Sequence, residues 1–427
     1  MNKILTKIKS LRGEITVPGD KSISHRSVMI GAISEGTTEI TGFLNAEDPL
    51  STISCFNSLG IKHKMENGKL FIYGNGLNGL KKPAAVLDAG NSGTTIRLIT
   101  GILAGQKFNS SITGDQYLVK RPMKRIIDPL TAMGARISST EKLTAPLNIQ
   151  AVEKLRAIEY ELPIASAQVK SAILLAGLYA DGITRVIEKE PSRDHTERML
   201  NLVSKKQNGA TTIQVEGGMK LHARPFTVPG DPSSAAFFIV AALIIPNSEI
   251  IIHNVGLNPS RNGFLDVLKK FNANISIENE HVVGGEPIGD IIASTSELTT
   301  NVKLSGNIIP NIIDEIPILS IAAANAKGTI EVRNAKDLRS KETDRISAIC
   351  SNLKKMGINV EEYDDGFAFE STGNLSSGEF DSFGDHRIAM AFGIAALALN
   401  GESIVKDAEC VSISFPAFWG ALHSLQR

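Results

Sequence analysis

The chain has 427 residues, too many for one ordinary hydrophobic core, which predicts two or three domains. Apolar residues make up 42% and charged residues 21%, a composition typical of water-soluble globular proteins. Lys plus Arg and Asp plus Glu balance at 45 each, and only 5% of the residues are aromatic, so nucleic-acid binding is disfavoured.

The start of the chain predicts no export signal and no membrane anchor. Residues 1–7 lack the apolar core of a signal peptide. The longest strictly apolar run, residues 235–245, is too short to span a bilayer, and we interpret it as a buried helix. Cys55, Cys350 and Cys410 follow no metal-ligand spacing, which predicts reduced thiols in a cytoplasmic protein without a metal or another cofactor.

Two similar segments mark the ends of the N-terminal half. Residues 15–20 end in Thr-Val-Pro-Gly-Asp and return as residues 226–231, and each Asp is placed to cap a following helix. The sequence therefore predicts two domains, residues 18–228 and residues 1–17 plus 229–427. The two hinge crossovers at these segments would suit closure over a ligand.

A shorter period runs through both halves. Every 65 to 81 residues an apolar, Ala-rich helical pattern ends at Gly or Asn and passes into a β-branched strand. A more polar helix and further strands follow most of these turns, which lie at Gly36, Gly105, Gly182, Asn247, Gly328 and Gly401. Solenoid repeats are shorter, roughly 20–50 residues. We therefore predict an α/β (α+β) fold of two similar globular domains, each built from three βαβαββ units.

One glycine-rich segment matches the sequence pattern of a dinucleotide-binding site. Residues 74–79 fit the pattern GxGxxG after a strand-like segment, but Lys81, Lys82 and Pro83 follow where that motif needs a helix. A plain glycine turn is the better interpretation. The phosphate loop GxxxxGK[ST] does not occur, which disfavours nucleotide hydrolysis.

Lys and Arg crowd the predicted starts of several helices, where partial positive charge makes each cation cost about 0.3–1 kcal/mol relative to an acid. The segments are residues 19–26, 90–97, 165–170, 339–345 and 384–387. Free N–H groups and adjacent cations together form an anion site, so the repeated placement predicts bound anions. For a single residue such as Arg97, a solvated charge or a salt bridge is the alternative.

Four motif segments resemble the signature segments of the EPSP synthases, in that family's order: residues 19–26, 90–97, 341–345 and 385–390. The resemblance runs from about residue 10 to residue 420. It implies the enolpyruvyl transferase fold, an inside-out α/β barrel of three βαβαββ units in each domain. It also implies a monomeric transferase of the shikimate pathway to chorismate and the aromatic amino acids. Its substrates would be phosphoenolpyruvate and shikimate 3-phosphate, with no nucleic acid or membrane as partner.

The resemblance also implies roles for single residues. Shikimate 3-phosphate would bind Lys21, Ser22, Arg26, Ser166, Ala167, Gln168, Arg193, Asp314 and Lys341. Phosphoenolpyruvate would bind Lys21, Gly93, Arg121, Gln168, Arg345 and Arg387. Asp314 would accept the proton of the 5-hydroxyl, and Glu342 would transfer a proton at the enol carbon, with Lys21 as the third catalytic residue. The alternatives are a helix cap for Asp314 and a surface ion pair for Glu342.

Further segments resemble the class II branch of the family. They are residues 166–170, 193–197 and 258–261, with Ser260 where Thr is usual. Ile413 and Asp337 replace a Lys and an Asn of class I, so those two contacts are not assigned. Glyphosate occupies the phosphoenolpyruvate site of the family, and tolerant class II enzymes often carry Ala at the position of Gly93. Gly93 therefore predicts a glyphosate-sensitive enzyme.

Two other functions fit the sequence less well. The sister enzyme that transfers enolpyruvate to a UDP-sugar has a reactive cysteine in a loop of its N-terminal half, but residues 110–123 contain none. That enzyme also has Asn after the first active-site Lys, where this chain has Ser22. A non-catalytic anion sensor would gain nothing from Asp314 and Glu342 beside anionic ligands.

Overall fold

The computed structural model describes residues 1–371 and 373–427, and the chain forms two compact units. We call Gly19–Val228 the N unit, and Met1–Pro18 together with Pro229–Arg427 the C unit. The first boundary lies one residue later than the sequence analysis placed it. Pro18 belongs to the C unit because its carbonyl accepts a hydrogen bond from Asp231 N at 2.8 Å.

The N unit alternates apolar and more polar helices. Its helices are α1 (Lys21–Ala32), α2 (Glu47–Ser58), α3 (Gly93–Ala104), α4 (Lys124–Ala132), α5 (Ala167–Gly177) and α6 (His195–Leu200). After β1 (Lys3–Thr6) and β2 (Arg12–Thr16) of the C unit, its strands are β3 (Glu35–Thr41), β4 (Lys62–Glu66), β5 (Lys69–Asn75), β6 (Leu87–Asp88), β7 (Ser110–Thr113), β8 (Arg136–Ser138), β9 (Leu147–Gln150), β10 (Leu155–Arg156), β11 (Glu159–Glu161), β12 (Ala180–Asp181), β13 (Ile183–Glu188), β14 (Val203–Gln207), β15 (Ala210–Glu216) and β16 (Phe226–Thr227).

The C unit repeats this alternation. Its helices are α7 (Pro232–Ile244), α8 (Gly263–Lys270), α9 (Ile309–Ile312), α10 (Ile316–Ala324), α11 (Arg345–Lys355), α12 (His386–Ala398) and α13 (Phe418–Leu425). Its later strands are β17 (Glu249–Gly256), β18 (Asn274–Val283), β19 (Glu286–Ser294), β20 (Thr299–Leu304), β21 (Lys327–Val332), β22 (Val360–Tyr363), β23 (Gly366–Ser371), β24 (Glu379–Asp381) and β25 (Glu402–Lys406).

Five four-stranded sheets share one strand order, in which one parallel pair is followed by two antiparallel pairs. The sheets are β16-β3-β5-β4, β6-β7-β9-β8 and β11-β13-β15-β14 in the N unit, and β2-β17-β19-β18 and β20-β21-β23-β22 in the C unit. In chain order, β6, α3, β7, α4, β8 and β9 form one βαβαββ unit, as predicted. A three-stranded sheet, β24-β25-β1, uses the N-terminal strand as its third member, so residues 1–16 complete two sheets of the C unit.

The apolar helices form the two cores. In the N unit α1, α3 and α5 are buried along most of their length, as are α7, α10 and α12 in the C unit. The predicted buried helix over residues 235–245 is therefore correct and lies in α7. Because water is excluded along these helices, polar chemistry is concentrated at their N-terminal ends, which carry the motif segments.

The structure also bears on the predictions for the glycine-rich segment, the cysteines and membrane-spanning helices. Gly74 lies inside β5, and a turn rather than a helix follows at residues 76–79, so the plain glycine turn is confirmed. The three cysteines are free, and burial raises the pKa of each thiol to about 12. In the described part of the chain, no single helix is long and apolar enough to span a membrane. Residues 306–312 and 316–324 reach that length and apolarity only together, and the two helices are bent by 104°.

Candidate active site

The start of α1 places Lys21 beside a carboxylate. Asp20 caps the helix by accepting a hydrogen bond from Ile23 N at 2.9 Å. Lys21 Nζ lies 2.9 Å from Asp48 Oδ2, and Asp48 belongs to the first turn of α2. Both side chains are largely shielded from solvent, so this pair fixes the ammonium group at the end of the helix.

His25, one residue before Arg26, is buried and adds no positive charge. Its Nδ1 lies 2.7 Å from Thr52 Oγ1. Burial lowers the pKa of His25 well below its usual value, and the nearby charges of Lys21 and Arg26 lower it further. The imidazole is therefore neutral at neutral pH, and the cationic character of this helix end comes from Lys21 and Arg26.

Arg26 is buried one and a half turns into α1 and is held by neutral oxygen atoms. Its Nε donates to Thr196 Oγ1 at 2.7 Å, and its Nη2 donates to Ser171 Oγ at 2.8 Å. Its Nη1 donates to the carbonyl oxygen of Ser22 at 3.0 Å. These contacts connect α1 to α5 and α6 and fix the direction of the guanidinium group.

The start of α3 brings two more guanidinium groups to Gly93. A Cβ atom on Gly93 would lie 2.8 Å from Arg97 Nη1 and 3.2 Å from Arg121 Nη1. Arg97 Nη1 donates to Gln168 Oε1 at 2.7 Å, and Arg121 Nη2 donates to Asn91 Oδ1 at 2.6 Å. Gly93 is thus the position where the helix backbone comes close to two cations, with room for little more than hydrogen.

The start of α5 supplies Ser166, Ala167 and Gln168. Ser166 caps the helix, Ala167 is its first residue, and Gln168 Nε2 donates to Thr94 Oγ1 at 3.1 Å. Lys170, on the same helix, is paired with two carboxylates, which is not expected of a cation that binds an anion. Its ammonium lies 2.9 Å from Glu188 Oε2 and 2.6 Å from Glu197 Oε1, in full burial.

Lys170 is therefore a buried ion-pair residue. The prediction that it helps to bind an anion at the start of α5 is wrong. Burial raises the pKa of Glu197, although Lys170 works in the opposite direction. Glu188 also accepts hydrogen bonds from the backbone and hydroxyl of Ser192. This cluster fixes the segment before α6, where Arg193 follows Ser192 and is half-buried.

In the C unit, three cations surround Asp314. The residue lies in the turn between α9 and α10, and its Oδ1 is 3.3 Å from both Lys341 Nζ and Arg345 Nη1. Arg387 Nη1 donates to the Asp314 carbonyl at 3.0 Å, and its Nη2 lies 4.0 Å from Oδ2. The N-cap position of α10 is occupied by Glu315, so the helix-cap alternative for Asp314 is wrong.

Arg345 is the most enclosed of these cations, with 1% of its surface exposed. Its Nε donates to Asp385 Oδ2 at 2.7 Å, and its Nη2 donates to Glu342 Oε2 at 2.6 Å. Although burial opposes the charge, Asp385, Glu342 and Asp314 together raise the pKa of Arg345 above its usual value. The guanidinium is therefore permanently charged and fixed by carboxylates on three sides.

Lys341 and Glu342 lie in the segment between a 3₁₀ helix at Lys336–Ser340 and α11. Burial lowers the pKa of Lys341; Asp314 opposes this change and Arg345 adds to it. Glu342 has 14% of its side chain exposed, so the surface-pair alternative is only half right: it does pair with Arg345, but in a shielded position.

Several partners of these residues were missed by sequence reasoning. Asp48 binds Lys21 from 27 residues away, and Asn91 binds Arg121 from 30 residues away. Asp385 caps α12 by accepting a hydrogen bond from Arg387 N at 2.8 Å, and it also binds Arg345 from 40 residues away. No spacing in the sequence relates the partners, because the contacts join segments that are distant along the chain.

The arrangement can bind anions in the N unit and can transfer protons in the C unit. Helix starts with adjacent cations favour bound anions, and carboxylates beside cations stay ionised and can accept a proton. Within residues 1–371 and 373–427, no group of three or more His, Cys, Asp or Glu side chains is placed to share a metal ion.

Comparison with known proteins identifies a match over nearly the whole chain. The family described as EPSP synthase (3-phosphoshikimate 1-carboxyvinyltransferase) matches residues 5–422. A protein of Pelobacter propionicus named 3-phosphoshikimate 1-carboxyvinyltransferase is 50% identical over 99% of this chain and 98% of its own. One of the same name from Geobacter sp. strain M21 is 50% identical over 98% and 97%. A solved structure of EPSP synthase from Acinetobacter baumannii has 45% identity and a TM-score of 0.87, covering 100% of this chain and 98% of that one.

Proposed function

The chain belongs to the EPSP synthase family, whose members are 3-phosphoshikimate 1-carboxyvinyltransferases, and we propose how its residues divide that reaction. The enolpyruvyl group of phosphoenolpyruvate is transferred to the 5-hydroxyl of shikimate 3-phosphate. The C–O bond forms at C2 of phosphoenolpyruvate while its methylene carbon gains a proton. Loss of that proton and of phosphate from the tetrahedral intermediate gives 5-enolpyruvylshikimate 3-phosphate.

Shikimate 3-phosphate binds mainly to the N unit in this proposal. A phosphate carries about −1.5 to −2 charges, and the substrate has a carboxylate as well. Lys21 and Arg26 provide two cations, Arg193 a third, and Ser22, Ser166, Ala167 and Gln168 provide hydrogen-bonding groups at the same helix starts. The support is the burial of Arg26 near this helix start, where hydroxyl and carbonyl oxygens of α1, α5 and α6 fix the direction of its guanidinium.

Phosphoenolpyruvate is assigned to the cations nearest Gly93 and to those of α11 and α12. Arg121 lies beside Gly93, and Arg345 and Arg387 lie at the starts of their helices, where free backbone N–H groups also favour anions. Lys21 and Gln168 would contact both substrates. Planar guanidinium groups suit this ligand because they bind phosphate and carboxylate through paired hydrogen bonds.

The observation that carries the proton-transfer roles is the position of Asp314 between cations. Lys341 and Arg345 at 3.3 Å stabilise the ionised carboxylate, the form that a base requires. Asp314 accepts the 5-hydroxyl proton, and Lys341 contacts shikimate 3-phosphate beside it. Glu342, three residues before Arg345, transfers the proton at the enol carbon, with Lys21 as the third catalytic residue.

We further expect a monomer in the cytoplasm. The expectation of a reducing compartment is supported by three free thiols whose pKa values, at about 12, keep them protonated. Size-exclusion chromatography with light scattering would test the monomer, and fractionation of the native cell would test the compartment.

A phosphate-release assay tests the proposal. Phosphate should appear with phosphoenolpyruvate and shikimate 3-phosphate together, but not with phosphoenolpyruvate alone or with a UDP-sugar as acceptor. Arg193→Ala should weaken shikimate 3-phosphate binding by about 10-fold or more, the effect of losing one charge-assisted contact. The matched control is Arg185→Ala, on β13 of the same unit. Phosphate release with the UDP-sugar, or equal effects of the two variants, would contradict the assignment.

A further inference from the structure

A buried arginine outside the proposed substrate contacts lies in the C unit between β17 and α8. Arg261 has 2% of its surface exposed, and its Nη2 donates to Ser233 Oγ at 2.8 Å and to Asp231 Oδ1 at 3.1 Å. Asp231 caps α7 through Ser233 N at 2.7 Å. Because burying a guanidinium is costly, such a residue requires compensating contacts, and here they lead toward the phosphoenolpyruvate site.

The next contact in this direction is Glu315. Ser233 Oγ donates to Glu315 Oε1, and Glu315 is almost completely buried at the N-cap position of α10. The same Oε1 atom lies 3.8 Å from Arg387 Nη1. Arg387 Nη1 also donates to the Asp314 carbonyl. Arg261, Ser233, Glu315 and Arg387 thus form a continuous series of contacts, which we call the Arg261 relay.

The chemistry of the relay fixes which way the Ser233 proton points. A guanidinium only donates, so Ser233 Oγ accepts from Arg261 and uses its own proton for Glu315. Accepting from a cation makes the hydroxyl a stronger donor, since hydrogen bonds in a chain polarise one another. Glu315 is therefore held on the Ser233 side, at 3.8 Å from Arg387 rather than in a close ion pair.

The distance between Glu315 and Arg387 matters because a carboxylate competes with an anionic ligand for the same guanidinium. We propose that Arg261 is a positioning residue for phosphoenolpyruvate: through Ser233 it restrains Glu315, and so keeps Arg387 available to the substrate. This inference rests on the proposed role of Arg387 in phosphoenolpyruvate binding. Without Arg261, Glu315 would close on Arg387 and weaken its hold on the ligand.

The main test is Arg261→Met, which keeps an unbranched apolar stem but removes the charge and the hydrogen-bond donors. The KM for phosphoenolpyruvate should rise about 10-fold, the factor that corresponds to about 1.4 kcal/mol, while kcat and the Kd of shikimate 3-phosphate change less than about twofold. Ser233→Ala, a smaller change, should have the same selective effect. Arg261→Lys keeps the charge and should be intermediate.

A double variant separates positioning from general damage. In Arg261→Met/Glu315→Gln, the carboxylate that closes on Arg387 has lost its charge, so the KM for phosphoenolpyruvate should return toward the wild-type value. A purely structural role of Arg261 would not be rescued by a second buried substitution. Asn258→Ala is the matched control: it disturbs the same turn, where Asn258 Nδ2 donates to Glu286 at 2.8 Å, but replaces none of the four relay residues.

The outcomes are distinct. An unchanged KM in both Arg261→Met and Ser233→Ala overturns the inference, as does a rise that Glu315→Gln does not reverse. Parallel losses of kcat, both KM values and thermal stability, matched by Asn258→Ala, also overturn it. Arg387→Lys is the check on the premise. If that variant binds phosphoenolpyruvate normally, the proposed role of Arg387 fails, whatever the result for Arg261.

Discussion

Three arginines of the N unit and Arg345 of the C unit differ in the hydrogen bonds that fix their guanidinium groups. Arg26 is held by hydroxyl and carbonyl oxygens, Arg97 by Gln168 and Arg121 by Asn91. Arg345 is held by Asp385, Glu342 and Asp314. A neutral oxygen fixes the direction of a guanidinium, whereas a carboxylate also offsets its charge and is itself kept ionised by the cation.

The repeated Val-Pro-Gly-Asp segments show the same difference within one motif. Asp20 caps α1 and Asp231 caps α7, so the backbone role is shared. After Asp20 the helix continues with Lys21 and, five residues later, Arg26; after Asp231 the matching positions hold Pro232 and Phe237, both buried in the C unit. The repeat therefore specifies a helix start, and only the residues that follow it decide whether that start binds anions.

The largest effect should come from making the C unit resemble the N unit. Asp314→Asn replaces the shielded carboxylate by a neutral amide of the same shape, which removes the base. We expect kcat to fall by about 10²–10⁴-fold, the usual contribution of general base catalysis, while shikimate 3-phosphate still binds. Single-turnover kinetics and calorimetry measure the two quantities separately. A loss of binding with normal turnover would show that Asp314 is a ligand contact and not a base.

The reverse exchange gives the N unit a carboxylate. Gln168→Glu keeps the side-chain length but places a negative charge 2.7 Å from Arg97, where the amide oxygen now accepts. Substrate affinity should fall about 10- to 100-fold, because a charge-assisted contact is worth about 1.5–3 kcal/mol. Gln168→Met is the control, since it loses the hydrogen bond without adding charge. If both variants bind equally poorly, the hydrogen bond of Gln168 matters and the added negative charge does not.

Gly93→Ala tests the close approach of backbone and cations in the N unit. The added methyl would press on Arg97 Nη1 and Arg121 Nη1, both ends of flexible side chains, so the protein should fold and the guanidinium groups should shift by a few tenths of an ångström. We expect the KM for phosphoenolpyruvate to rise roughly threefold to tenfold, which corresponds to about 0.7–1.4 kcal/mol. Competitive inhibition by glyphosate, expected for the wild type, should weaken more than that.

The control for this variant is Gly420→Ala in α13, where an added Cβ meets nothing within 4 Å. It should leave both constants unchanged. Equal glyphosate responses of Gly93→Ala and the wild type would show that Gly93 does not line the inhibitor site.

The smallest effect concerns the pH dependence of the C unit. Burial lowers the pKa of Lys341, so its charge should be lost at a lower pH than that of an ordinary lysine. Affinity for shikimate 3-phosphate should fall a few-fold as pH rises through that pKa. The linkage to stability has the opposite sign. Between the folded pKa and the higher unfolded pKa, the unfolded state binds more protons, so the free energy of unfolding rises with pH.

Lys341→Arg keeps the charge and should move the alkaline loss of affinity to higher pH. Isothermal titration between pH 7 and pH 10 measures this, and thermal melting over the same range measures the linked change in stability. If the affinity for shikimate 3-phosphate falls over the same alkaline pH range in both proteins, a titratable group other than Lys341 causes the loss.

The sequence by itself determined the repeating unit and the ends of the central helices. Apolar periodicity, Gly and Asn stops and the caps at Asp20 and Asp231 are local signals, because helix starts and turns are decided by residues a few positions apart. That is why the βαβαββ unit, the buried helix at residues 235–245 and the turn at residues 76–79 could all be predicted. The motif segments likewise identified the family before any contact was known.

The tertiary structure alone decided which charges meet. Lys170 looked like Lys21 in the sequence, yet two glutamates 18 and 27 residues away take up its charge. Asp385 caps α12, yet it also fixes Arg345 from 40 residues away. The strand that completes the last sheet is β1, at the other end of the chain. Such pairings depend on which helix ends the folded core brings together, and electrostatic partners at that separation leave no periodic trace in the sequence.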